Sequence, residues 1–399
     1  METVMILGAG PLQVPAIMKA KELNMKVVVC DFDANAIGRN IADEFYLIST
    51  IDKERVLNKA IELAPDYVIT STSDAPVRTA AYVSEKLGLP TGISYENAIC
   101  ATVKSAMRDR LKKKNIPIPE YFVCATVEEF LEAVRSFANE CILKPSDSSA
   151  SRGVKKLDCS LSVDKLVESY RECCKYSNNG VVLVEELMHG AEVSVECIIV
   201  NQKIHIIAIT DKYVTEEPYF VELGHSEQSQ LDDKIKSEIE MVTKKAIEAI
   251  DIVNGVAHAE LKITKDGPKI VEIAARLGGD YITSRLVPLS TGVDMVGNSI
   301  CLALNKPFKI EKKLNKGSAI RFIRGTEGKI KKINFNDDLY DAEGLVELKV
   351  YCKEGDICHD LKSSNDRLGH IITQADNAEM AIKIAEAVLS KIEIIIEKV

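Results

Sequence analysis

Two glutamates near the middle of the chain are placed to do chemistry together. Glu260 stands in His258-Ala259-Glu260-Leu261-Lys262, and Glu272 in Val271-Glu272-Ile273-Ala274-Ala275-Arg276. Between them runs Thr264-Lys265-Asp266-Gly267-Pro268, a turn-forming stretch between apolar runs that predicts an antiparallel hairpin. Counted outward from the turn, the two carboxylates fall nearly opposite each other on one face. Like charges so placed destabilise a sheet unless something positive lies between them. Mg²⁺, held by one or two carboxylates plus nucleotide phosphates, meets that need. Arg276 follows at once, then Gly278-Gly279-Asp280. An arginine beside exposed backbone amides suits stabilisation of an oxyanion.

A second set suits phosphate. Ile142-Leu143-Lys144-Pro145 ends an apolar run with a lysine, and Ser146-Asp147-Ser148-Ser149-Ala150-Ser151-Arg152-Gly153-Val154 follows. Small side chains, through to Ser151, Arg152 and Gly153, let backbone N–H groups approach phosphate oxygens. Lys144 at the base supplies a point charge, and Lys104 upstream supplies another. Downstream, Val182–Val184 leads into Glu185-Glu186-Leu187, a strand exit whose backbone can meet an adenine edge. Glu192, just beyond Gly190, can accept from ribose hydroxyls.

A third signal opens the chain. Gly8-Ala9-Gly10 follows a strand and precedes a helix, and Asp31 ends the next strand. These are parts of a dinucleotide fingerprint whose third glycine is missing. The favoured reading is a Rossmann-like domain with a tight turn, at which a substrate could also be held.

The elements that position these residues can be read in outline. Strands at Thr3–Leu7, Val27–Cys30 and Tyr67–Thr70 alternate with helices at Leu12–Leu23 and Lys53–Leu63, which predicts a parallel sheet with crossover helices. A charged helix over 104–114 ends before Ile116-Pro117-Ile118-Pro119. Residues 141–200 read as a small α+β unit, with strands at Cys141–Lys144, Val181–Glu185 and Val193–Val200. Residues 232–250 form an amphipathic helix, with Ile235, Ile239, Val242, Ala246 and Ile250 on one face. The last ninety or so residues read as short strands and a helix over 377–390. The predicted architecture is α/β and α+β in four parts, 1–104, 105–190, 191–305 and 306–399.

Composition narrows the classes. The 399 residues suit two to three domains at about 150 residues each. A net charge of −9 argues against a general nucleic-acid binder, which carries a basic footprint. The eleven cysteines are scattered without a C-x-x-C pair, as expected of reduced, buried thiols. The start METVMILGAG has no basic n-region, and no run approaches the roughly 20 apolar residues of a membrane span. A cytoplasmic protein without a membrane partner is expected.

Taken in order from Lys104 to Arg276, these motifs resemble the ATP-grasp superfamily, over residues 1 to about 305. The resemblance is greatest to the branch of L-amino acid ligases and carbamoyl-phosphate-synthase-like proteins. It implies a Rossmann-like domain followed by two lobes gripping ATP, and a homodimer is common in such families. Lys104 and Lys144 would bind phosphates under the loop Ser146–Gly153, Glu185, Glu186 and Leu187 would meet adenine, and Glu192 ribose. Glu260 and Glu272 would hold Mg²⁺, with Mn²⁺ as a substitute, and Arg276 would steady an acyl phosphate. Asp211-Lys212-Tyr213 and Glu222-Leu223-Gly224-His225-Ser226 look like ligase segments in which the lysine faces phosphate. Glu222 and His225, with Gly279, would line an amino-acid pocket. Two departures stand out, Ala274 where many members have asparagine, and Ser148-Ser149-Ala150 where the loop usually has glycines.

The chemistry so implied is ATP-dependent joining of a small-molecule carboxylate to an amine through an acyl phosphate. Its rivals are a carboxyphosphate-forming or biotin carboxylase-like reaction, a non-catalytic nucleotide binder, and an NAD-dependent oxidoreductase resting on Gly8 and Gly10 alone.

Overall fold

The computed structural model describes residues 1–149, 151–215 and 220–398. Its first part holds β1 (Thr3–Leu7), α1 (Val14–Glu22), β2 (Lys26–Asp31), β3 (Glu44–Leu47), α2 (Lys53–Leu63), β4 (Tyr67–Ile69) and α3 (Ala75–Leu87). The strands form a parallel sheet in the order β3-β2-β1-β4. Side chains alternate between faces, so Val4, Ile6, Val27 and Val29 pack towards α1, while Met5, Leu7 and Cys30 pack towards α2 and α3. β3 is absent from the sequence reading because this edge strand is only partly buried and carries no alternating signal.

Helices α4 (Tyr95–Cys100) and α5 (Lys104–Lys113) lead into a small lobe. There β5 (Tyr121–Cys124), α6 (Val127–Arg135), β6 (Glu140–Pro145), β7 (Lys155–Asp158), α7 (Val163–Cys174) and β8 (Val182–Glu186) follow. They build an antiparallel sheet, β5-β8-β6-β7, whose core is shared with α6 and α7. A capping box between Thr126 and Glu129 starts α6, satisfying donors that the first helical turn leaves open.

The large lobe contains β9 (Ala191–Val200), β10 (Lys203–Val214), β11 (Glu222–Glu227), α8 (Asp233–Ile250), β12 (Gly255–Thr264) and β13 (Gly267–Ala274). A π-helical turn (Ile282–Leu286), α9 (Val287–Thr291) and α10 (Met295–Ala303) come next. The remainder supplies β14 (Gly317–Ile323), β15 (Gly328–Asn334), β16 (Leu345–Val350), β17 (Ile357–Cys358), β18 (Gly369–Ala375), α11 (Ala378–Leu389) and β19 (Glu393–Glu397).

One eight-stranded sheet, β13-β12-β9-β10-β11-β14-β18-β16, runs through the molecule. Val193, Val195, Cys197 and Ile199 of β9 face α5 and α8. The alternate face of β9 carries Glu192, Ser194 and Glu196, and at its far end Ile198 meets the N-terminal domain. Two readings change. Val193–Val200 does not belong to the small unit, because its partners are β10 and β12. The last segment contributes β14, β16 and β18 to the central sheet, so a cut at 305 separates strands that share hydrogen bonds. Long-range pairing of this kind leaves no periodic mark on either partner.

Candidate active site

Glu260 and Glu272 are register partners across β12 and β13. The pairing depends on a bulge. Leu261 pairs with Ile270, the next pair is Glu260 with Glu272, and Val271 is left over. An extra residue on one strand returns the following side chain to the partner's face. The Val271 carbonyl accepts a 2.8 Å hydrogen bond from Arg108 Nη2, so the bulged residue is held by α5.

Lys104 and Arg108 sit one helical turn apart on α5 and point the same way. Lys104 Nζ donates to Glu272 Oε1 (3.0 Å) and to the Ser148 carbonyl (2.8 Å). Arg108 forks onto Glu185, Nε to Oε1 at 2.8 Å and Nη2 to Oε2 at 3.2 Å. Lys144 Nζ is 2.6 Å from Glu185 Oε2. Arg108 is fully buried and Glu185 nearly so. Burial opposes charge on Glu185, but Arg108 and Lys144 outweigh it and hold its pKa below the ordinary carboxylate value. Burial, with Arg108 and Lys104 nearby, pushes the Lys144 ammonium down to about 8 despite Glu185. Glu185 is therefore an internal counter-ion, not a solvated charge at a strand exit.

Further along the sheet, Lys212 gathers three carboxylates: Glu192 at 2.7 Å, Glu260 at 3.1 Å and Glu222 at 3.8 Å. Glu192 faces Lys212 across β9 and β10 and Lys262 across β9 and β12. Burial works against the Lys212 charge, yet Glu192, Glu260 and Glu222 raise its pKa well above the usual value. His258 lies between two acids, Nδ1 2.6 Å from Glu196 Oε1 and Nε2 3.3 Å from Glu260 Oε1. Burial favours the neutral ring, but the two carboxylates prevail and lift the imidazole to about 9.

Arg276 is held by a different domain. Its Nε and Nη2 donate to Asp74 Oδ1 (2.8 Å) and Oδ2 (3.2 Å), and Nη1 to the Leu277 carbonyl. Asp74 immediately precedes α3, so the fork joins the hairpin to the N-terminal domain. Beyond Arg276, a Cβ on Gly278 would stand 2.8 Å from Glu196 Oε1 and from His258 Nδ1, whereas one on Gly279 would meet open space.

Glu222 and His225 lie on β11. The His225 ring is buried against Phe322, because β11 is sandwiched between β10 and β14. His225 Nε2 is 3.3 Å from Asp280 Oδ2. Arg367 donates to Asp280 at 2.8 and 3.0 Å and to Glu222 at 2.9 Å. Burial resists ionisation of Asp280, but His225 and Arg367 keep its pKa below the ordinary value.

The other expected contacts are dispersed around this centre. Glu186 pairs with Lys269 at 2.8 Å, and Leu187 follows the end of β8. Ser151 and Gly153 adopt left-handed conformations, φ 56° and 76°. The exposed Arg152 Nε donates to the Ser149 carbonyl, and Ala150 of the same loop lies outside the described residues. Asp31 gives Oδ2 to the glycine turn, accepting from Ala9 N (2.7 Å), and Oδ1 to its own loop, accepting from Asp33 N (2.9 Å). That use explains the third motif as a structural turn.

The chemistry of the donor set fits a divalent cation. Two carboxylates oppose each other, and among the described residues no group of three or more His, Cys, Asp or Glu forms a closed metal cage. Mg²⁺ completed by phosphates and water suits that pattern. Ala274, buried and apolar, adds no ligand. Sequence reasoning assigned no role to Arg108, Asp74, Glu196, His258 or Arg367. Only Arg108 left a usable trace, four residues beyond Lys104 on a helix already expected.

Residues 137–284 match an ATP-grasp domain, and residues 321–397 match L-amino acid ligase C-terminal domain 2. The L-arginine-specific L-amino acid ligase of Bacillus subtilis is 22% identical over 345 residues, spanning 84% of this chain and 83% of that protein. The crystal structure of an L-amino acid ligase from Bacillus licheniformis superposes with a TM-score of 0.83 at 19% identity, covering 100% of this chain and 99% of that one. A phosphoribosylglycinamide synthetase from Anaerococcus prevotii gives a TM-score of 0.76 at 22% identity, covering 99% and 100%. At such identities the superpositions speak for the fold. Among the described residues, no single helix is long and apolar enough to cross a membrane.

Proposed function

We propose, for a chain that carries an ATP-grasp domain and an L-amino acid ligase C-terminal domain, that it joins a small-molecule carboxylate to an amine at the expense of ATP. The observation that carries the reading is the placement of Lys104 against Glu272 of the Glu260–Glu272 hairpin, with Lys144 linked to the same helix through Glu185 and Arg108, and Arg276 at the hairpin's exit. Lysines and glutamates neutralise each other in these pairs. Nucleotide phosphates would take the lysines, releasing carboxylates for a cation.

The substrate carboxylate attacks the γ-phosphorus and ADP leaves. Positioning and charge neutralisation dominate such transfers, and Lys104 and Lys144 supply both. Mg²⁺, or Mn²⁺ in its place, held by Glu260 and Glu272, would add positive charge at the phosphates. The amine then attacks the acyl phosphate, inorganic phosphate departs, and Arg276 holds the oxyanion in a position set by Asp74. Lys212 holds Glu192, Glu222 and Glu260 together, and Glu222, His225 and Gly279 line the place for the amino-acid portion. Residues 1–104 brace Arg276, 105–190 cover the phosphates with Ser151–Gly153, 191–305 carry the hairpin, and 306–399 close the substrate side. The backbone at Glu185–Leu187 would meet the adenine edge, and Glu192 the ribose. The presence of a ligase specific for arginine among the relatives supports amino acids as the substrates, and eleven free thiols accord with a cytoplasmic enzyme.

The test is to incubate the protein with Mg-ATP and pooled amino acids, following ADP and phosphate and identifying amides by mass spectrometry. Amide formed with ADP supports the reading. ADP release that needs bicarbonate, or none across a broad panel of carboxylates and amines, would sink it.

A further inference from the structure

Two consecutive residues after Gly279 adopt the left-handed conformation although neither is glycine: Asp280 at φ 50° and Tyr281 at φ 62°. Such strain persists only where the surroundings over-determine it, and it clusters at functional sites. Here the surroundings come from the C-terminal segment. The Tyr281 ring lies 4.5 Å from the His370 ring. Its hydroxyl is 3.4 Å from that of Tyr351, and the Tyr351 hydroxyl in turn bonds His370 Nδ1. His370 Nε2 is 3.1 Å from Glu347 Oε1, and Arg285 reaches Glu347 Oε2 at 3.4 Å, returning the chain of contacts to the π-helical turn. His370 is fully buried, and among the described residues its ring hydrogen-bonds to Tyr351 and Glu347.

The other end of the same stretch is tied elsewhere. Leu277 N donates to the Ser71 carbonyl at 3.0 Å, and Arg276 forks onto Asp74. The segment from Arg276 to Tyr281 is thus stretched between the N-terminal domain and the C-terminal strands. Gly278 and Gly279 lie between the two anchors.

We propose that His370 is a positioning residue: through Tyr281 it holds the Gly278–Gly279 backbone and Arg276 in register, so that an acyl phosphate is captured by the amine before water reaches it. The inference rests on the ligase reading above. Both outcomes release ADP and phosphate. In transfer, the amine nitrogen bonds the acyl carbon and the carbon–oxygen bond to phosphate breaks, with a proton lost from nitrogen. In leakage, water does the same and regenerates the free carboxylate. A looser turn costs amide and not ADP.

Three variants probe the contact without touching Arg276: His370→Asn, Tyr281→Leu, which removes the stacked ring, and Tyr351→Phe, which removes both hydroxyl contacts. Tyr281→Phe keeps the ring and serves as the conservative rescue. The readout is amide formed per ADP released, with KM for ATP and the melting temperature measured beside it. The expected result is a ratio that falls about threefold or more in His370→Asn and Tyr281→Leu, with KM for ATP unchanged and most of the ratio kept in Tyr281→Phe. A wild-type ratio in folded His370→Asn and Tyr281→Leu overturns the proposal. If the wild type releases no substrate-dependent ADP, the ligase reading falls. Deuterium exchange over residues 277–283 then decides the positioning claim alone. Exchange faster by about tenfold in His370→Asn supports it, and equal exchange overturns it.

Discussion

Glu272 stands opposite Glu260 because Val271 bulges out between Leu261's partner and its own. Without the bulge Glu272 would pair with Ala259 and point through the sheet. Arg108, which binds the Val271 carbonyl, also forks onto Glu185, and Glu185 in turn holds Lys144. One arginine therefore ties the placement of the acidic pair to the placement of Lys144.

The first prediction concerns that pair. Glu272→Gln keeps the shape of the side chain and removes its charge. Substrate-dependent ADP release is expected to fall about 10²-fold or more, the scale seen when a preorganised electrostatic contact is lost. Turnover is followed with a coupled ADP assay and folding by circular dichroism. Undiminished turnover would remove Glu272 from the chemistry.

Arg108 should matter for stability more than any exposed arginine. Its removal takes the two-pronged fork from the buried Glu185 carboxylate, leaving that charge to Lys144, and takes the donor from the Val271 carbonyl. Truncation of one partner of a buried ion pair costs about 3–5 kcal/mol, so Arg108→Met should lower the urea-unfolding free energy by that order. A change no larger than a surface substitution gives, about 0.5 kcal/mol, would contradict the burial argument.

Lys144 implies a pH dependence. With its ammonium pushed down to about 8, the charge is about nine-tenths present at pH 7 and about one-tenth present a unit above that pKa. KM for ATP should therefore rise between pH 7 and 9, up to about tenfold. The term kcat should change less, because bound phosphate favours the charged form. Lys144→Arg, whose guanidinium does not titrate in this range, should flatten the rise. A KM that is level across the range in the wild type would refute the assignment.

Glu227 makes a separate prediction about stability. It is fully buried between Thr210 Oγ1 (2.6 Å) and Ser290 Oγ (2.8 Å), and burial pushes its carboxyl up to about 8 against the help of those hydroxyls. The folded state thus holds this proton more tightly than the unfolded chain. Its contribution to stability is complete below about pH 4.5, and falls by about 1 kcal/mol per pH unit until the pH passes about 8. Glu227→Gln removes the dependence. Thermal melts from pH 5 to 9 should show a steeper fall for the wild type than for the variant, and parallel curves would count against a buried neutral carboxyl.

The sequence by itself determined what is local. A parallel αβ start, the helix over 53–63 and the Glu260–Glu272 hairpin were legible because each is encoded by periodicity or turn chemistry within a short stretch. So was the order of phosphate-type and metal-type residues, since residue type at fixed spacing is local information. Tertiary structure decided which charges meet. Arg276 finds Asp74, Arg108 finds Glu185, and Arg367 finds Asp280 and Glu222, each across a separation that no periodic pattern spans. It also buried His225 in a strand between two others, and joined the last segment to the central sheet. The bulge at Val271 lies between these cases. The hairpin count alone leaves Glu272 one residue out of step, and only the carbonyl's partner on α5 decides where the extra residue goes. A side chain's type is written in the chain, but its pKa and its aim depend on neighbours that folding brings from far away.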